Sequence, residues 1–130
     1  MTLTDGDVAL LAGQAMGLLD ADVATTIEPS DPLDPYRRLS TAWTVWPMFD
    51  RHRTLGIRVI AAWSPAEALA RLLVALSQHV SETTNFWAHT FPICPGHEHA
   101  ATITPSGPDV LFTCQVTGKE VGRVHPEVEP

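Results

Sequence analysis

Four residues of this chain have the types and spacing of a metal site: Cys94, His97 and His99 in "CPGHEH", and Cys114 in "CQVTG". A thiolate and an imidazole are the side chains that a tetrahedral zinc ion takes most readily. Cys94-Pro95-Gly96-His97 has the ligand–turn–turn–ligand form of a zinc knuckle. Cys114-Gln115-Val116-Thr117-Gly118 has the same spacing and trailing glycine, but places Thr117, a poor zinc ligand, where the second ligand belongs. His99 fills that gap, because in an extended chain His97 and His99 project to one side. The pattern C-x2-H-x-H-x14-C therefore predicts a structural zinc ion held by Cys94, His97, His99 and Cys114. The competing reading is two cysteines used as small buried hydrophobes, with His97 and His99 in solvent.

An open, catalytic ion would need a free coordination position and a carboxylate as general base. Glu98 and Glu120 are the carboxylates near the pattern. In an extended "HEH", however, Glu98 faces away from both histidines. The signature of zinc deaminases is also missing, since no Pro-Cys-x-x-Cys turn follows. A zinc-dependent hydrolase is thus the alternative to a structural site, and the catalytic set is read as empty. His89 and His125 are the replacement ligands. His79, beside an apolar helical stripe, reads as a partly exposed helix residue.

The elements that must position these residues come from periodicity. Val8, Leu11, Ala12, Ala15, Leu18 and Leu19 recur at helical steps, with Thr4 or Asp5 as the cap. The stretch 28–36, with Pro29, Pro32 and Pro35, reads as an extended connector. "AWTVWPMF" alternates as a strand, Trp43, Val45 and Phe49 against Trp46 and Met48, and Pro47 marks it as an edge or bulged strand. After the loop "DRHRTLG", "IRVIAAW" gives a second strand. Ser64, Pro65 and Glu67 then open a helix as a capping box, and Leu69, Leu72, Leu73, Leu76 and Val80 form its apolar stripe. From residue 92 onward, "AATIT", "VLFTCQV" and "EVGRV" are short strands parted by the turns "PSGPD" and "TGK". So small a β unit needs a staple or a surface to lean on. The expected fold is α+β: an N-terminal helix, a two-stranded antiparallel sheet covered by a helix, and a C-terminal zinc-ribbon-like β unit. The body spans 1–91, the ribbon 92–125, and a frayed acidic tail 126–130.

A helix opened by "PAEALA", followed by "CPGHEH", a strand ending in one cysteine and "TGKEVGRV", resembles a group of small actinobacterial and actinophage proteins. The resemblance covers residues 64–124 and implies a zinc-ribbon-like end on an α/β body, with no assigned activity. In that group a proline-rich, often tryptophan-containing strand precedes the last cysteine. Here the strand is "DVLFTC".

Composition narrows the function. In 130 residues, 45% of them hydrophobic, there is room for one compact domain. The formal charge is −7 with 8 Lys and Arg in all, which argues against nucleic acid and anionic membrane. From Cys94 onward, five acidic residues face only Lys119 and Arg123. No secretory leader or apolar run of transmembrane length is legible, so the expected setting is the cytoplasm. There two cysteines serve a metal better than a disulfide. By elimination the expected role is protein interaction, self-association, assembly or regulation, with a nucleic-acid-binding zinc ribbon as a further alternative.

Overall fold

A computed structural model describes residues 2–19, 24–30, 41–49, 52–53, 56–83 and 101–129 of the chain. Helix α1 (Asp5–Leu18) starts at Thr4, whose hydroxyl accepts from the Asp7 N–H while the Asp7 carboxylate accepts from the Thr4 N–H. This reciprocal pairing satisfies amides that a helix start otherwise leaves open. The predicted stripe is buried at Val8, Leu11, Ala12, Ala15 and Leu19, with Met16 beside it.

The strands β1 (Ala24–Pro29), β2 (Ala42–Phe49), β3 (His52–Arg53) and β4 (Ile57–Ile60) form one antiparallel sheet. Three features depart from the sequence reading. Strand β1 was not expected, and the connector read at 28–36 begins inside it, since Glu28 and Pro29 still pair with Thr44 and Trp43. The sheet thus exceeds two strands. Strand β2 is its centre, with β1 on one side and β3 and β4 on the other. On one side Pro47 stands opposite Thr25 of β1; on the other, β2 pairs with β4 as far as Val45–Ile57 and with β3 from Met48–Arg53. Gly56 directly precedes β4, and a Cβ there would come within 2.7 Å of the Thr44 Cγ2. Trp43, Val45 and Pro47 point into the core, while Thr44, Trp46 and Met48 lie half-buried on the other face. The Trp43 Nε1 donates to the Asp5 carboxylate, which joins β2 to the start of α1.

Helix α2 (Pro65–Thr83) opens on Ser64, whose hydroxyl accepts from the Glu67 N–H at 3.1 Å. The Glu67 carboxylate reaches forward to the Arg71 guanidinium at 3.2 Å, not back to Ser64. Among the described side chains of the helix, Arg71, Val74 and Gln78 form an exposed stripe, one per turn. The helix is buried at Ala66, Ala68, Leu69, Ala70, Leu72, Leu73 and Leu76, because it touches α1, β4, β5 and β6 at once.

Strands β5 (Thr102–Ser106), β6 (Asp109–Thr113) and β7 (Glu120–Val124) form a second antiparallel sheet in simple up-and-down order. Gly107-Pro108 makes the two-residue turn between Ser106 and Asp109, with Gly107 at φ 59°, the conformation that glycine adopts without strain. The surface this sheet leans on is α2. Residues of α1, α2 and both sheets share a single buried cluster, which also takes in Val128.

Candidate metal centre

The described part of the site is the end of β6 and the turn that follows. Val110, Phe112 and Cys114 alternate inward with half-buried Leu111 and Thr113, so the Cys114 side chain, 3% exposed, sits at the rim of the shared core. The turn closes by two backbone bonds: the Cys114 N–H donates to the Lys119 carbonyl, and the Gly118 N–H to the Cys114 carbonyl, each at 2.8 Å. Gly118 has φ 72°, the left-handed value that lets the chain double back. The exposed Thr117 hydroxyl accepts from the Lys119 N–H at 3.3 Å. It is engaged inside the turn, in keeping with its weakness as a ligand.

Where β6 meets β7, the register slips between Phe112 and Thr113. Gly122 lies under the Phe112 ring there, and a Cβ would fall 2.9 Å from its Cδ2. Glu120, considered as a general base, gives its carboxylate to the Arg123 guanidinium at 2.8 Å.

Cys94, His97 and His99 lie outside the described residues, as do Glu98 and His89. The same holds for the side chain of His79. Among the described residues, no group of three or more His, Cys, Asp and Glu side chains is gathered as a metal would require. Of the four predicted ligands the structure therefore positions Cys114 alone.

His125 takes a different part. Its Nδ1 lies 2.7 Å from the Asp109 carboxylate and its Nε2 3.0 Å from that of Glu129, so both ring nitrogens are already engaged in this arrangement. The second Asp109 oxygen holds Arg123 at 3.0 Å. The frayed tail expected here is instead docked. Pro126 and Val128 are buried, and the Gln14 side chain on α1 donates to the His125 carbonyl and accepts from the Glu127 N–H, both at 2.9 Å. The paired carboxylates hold the His125 ring above its ordinary value, Asp109 first and Glu129 second. His125, followed by Arg123, holds Asp109 below its own. The sequence did carry a signal: the alternation Pro126, Val128 and the four-residue step from His125 to Glu129. Proline and acidity masked it.

A groove of about 480 Å³ runs between the exposed stripe of α2 and the strands β4 and β5, walled by Ile57, Trp63, Ala70, Val74, Ile103 and Pro105. The Arg71 guanidinium stacks 4.5 Å above the Trp63 ring at its edge. No helix among the described residues is long and apolar enough to cross a membrane. Comparison of the chain with protein-family models, with curated proteins and with solved structures gives no match.

Proposed function

We propose that this chain is a small zinc-binding module, in which Cys94, His97, His99 and Cys114 close on a structural ion and the stiffened surface serves protein interaction, assembly or regulation. The observation that carries this reading is the register of β5 against β6. Thr102 pairs with Thr113, so Ala101 falls level with Cys114, and both are buried. The segment that contains Cys94, His97 and His99 therefore joins the sheet at the Cys114 end. Two residues of chain span at most about 7 Å, which keeps His99 within short reach of Ala101. A tetrahedral zinc needs its sulfur and nitrogen ligands within about 2.3 Å of the metal, and this register is compatible with that demand. The turn at Gly118 and the occupied Thr117 hydroxyl favour His99 over Thr117 as the fourth ligand.

A closed site is favoured over a zinc hydrolase by Glu120, whose carboxylate is held by Arg123. The net charge of −7 opposes the nucleic-acid reading and fits a cytoplasmic partner that is another protein or a second copy. The resemblance to small actinobacterial and actinophage proteins belongs to the same proposal.

Metal analysis of the purified protein, together with Cys114→Ala and His99→Ala, tests it. One zinc per chain, lost in both variants along with stability, is the expected result. The inward alternation of Val110, Phe112 and Cys114 supports the other reading, a thiol that merely packs. Metal-free wild-type protein, with Cys114→Ala no more than mildly destabilised, would establish that reading and overturn the zinc site. A cobalt-substituted sample with tetrahedral spectra marks a closed site, and a five-coordinate spectrum an open one.

A further inference from the structure

We propose that residues 125–129 form a proton-dependent strap: the His125 imidazolium, clasped between Asp109 and Glu129, holds Pro126 and Val128 against the core beside α1, and loss of the ring proton loosens it. The argument starts from hydrogen-bond stoichiometry. A carboxylate accepts and never donates, and a neutral imidazole carries one N–H. At His125 both ring nitrogens face carboxylate oxygens, at 2.7 and 3.0 Å. Only the doubly protonated ring can donate to both. In the neutral ring, one nitrogen lone pair must point at a carboxylate.

The surroundings decide which contact fails first. Asp109 belongs to β6, and its side chain is 16% exposed. Its second oxygen is fixed by Arg123 of β7, which in turn holds Glu120. Glu129 lies on the strap itself and is 75% exposed. From α1 the only polar group facing the strap, among the described residues, is the neutral Gln14, which binds its backbone. A neutral ring therefore keeps its one N–H for Asp109, and Glu129 is released to water. The strap then keeps its bond to Asp109, its two bonds to Gln14 and the burial of Pro126 and Val128, but loses the tie to Glu129 beyond them.

The consequence is a surface that protons control. Glu127 rims a hollow of about 430 Å³ on the outer face of α1, floored by Gly13 and Gly17 and flanked by Leu10 and Leu18. Loosening residues 127–129 widens that hollow towards the core position of Val128. Mildly acidic conditions keep it narrowed, and alkaline conditions open it.

Nitrogen-detected NMR of the histidine rings, with the Glu127 amide and Gln14 carboxamide as reporters, tests this on the full chain. The expected result is a His125 ring protonated at both nitrogens at neutral pH, titrating above an ordinary histidine. The Glu127 and Gln14 signals should move with the same midpoint. Glu129→Gln, an exposed change that leaves the fold in place, should lower that midpoint and shift the strap signals with it. A single neutral tautomer throughout the range of about pH 5 to 8, or a ring that titrates while Glu127 and Gln14 stay still, overturns the proposal. So does an unchanged midpoint in Glu129→Gln.

Discussion

At the scale of single residues, one glycine and one tryptophan show how closely the chain is fitted. Gly56 sits where any Cβ would meet the Thr44 methyl at 2.7 Å and the Trp46 ring at 3.1 Å. Those neighbours belong to a central strand and cannot retreat without disturbing the sheet. Gly56→Ala is expected to destabilise the protein by about 1–3 kcal/mol, as overpacking does, read as a lower urea midpoint at unchanged slope. Trp43 contributes both a buried ring and a hydrogen bond to Asp5. Asp5 also carries negative charge at the first turn of α1, where the helix dipole favours it. A Trp43→Phe and Asp5→Asn double-mutant cycle should return a coupling of about 1 kcal/mol. A coupling of zero would mean that the bond contributes only geometry.

At the scale of elements, α2 is the member on which the rest depends. Leu72 and Leu73 are fully buried on a helix that touches α1 and both sheets. Leu73→Ala should therefore cost about 2–5 kcal/mol, and loss of signal should appear in both sheets together. Much of this helix was legible, because Ser64, Pro65 and a leucine stripe are local signals that need no partner. The strands of the second sheet were equally legible from Gly107, Gly118 and the alternation of Val110, Phe112 and Cys114. What escaped was non-local. Strand β1 has no period that separates it from its prolines, and it is a strand only because β2 offers Trp43 to Met48 as a pairing edge. The rank of β2 as centre was hidden in the same way, since it shows only in the pairing with β1, β3 and β4. The metal pattern is written in residue types, so it could be read without any fold. The partners of His125 required the docking of residues 126–128, which only the assembled core dictates.

At the scale of the whole molecule, one buried cluster links two helices and two sheets. Unfolding followed by tryptophan fluorescence, in which Trp43 and Trp46 report on the first sheet, should coincide with unfolding followed by backbone dichroism. If zinc holds the 94–114 region, chelation should lower the midpoint of that single transition rather than split it. The pH profile follows from two groups. Asp109, held below its ordinary 3.8, contributes stability that is complete above that value and is lost as pH falls through its lowered value. His125, held above its ordinary 6.5, contributes stability that is complete below that value and is lost as pH rises through its raised value. Stability from this pair is thus fullest between those two ordinary values. His125→Asn should flatten the alkaline side of the profile and also shrink, without abolishing, the acid side, because Arg123 still holds Asp109, as thermal midpoints across pH will show.

The two bonds from the Gln14 side chain join residues 111 and 113 positions apart in sequence. So long a closure yields nothing until the intervening chain has ordered. The transition state for folding should therefore lack these bonds while already containing the local β5–β6 hairpin. Gln14→Ala is expected to hasten unfolding and leave the folding rate nearly unchanged, and stopped-flow chevrons would display that asymmetry. In temporal terms the docked segment is the last part of the molecule to arrive and the first to leave. Its hold on α1 therefore helps to set the lifetime of the fold without setting the pace at which the fold forms.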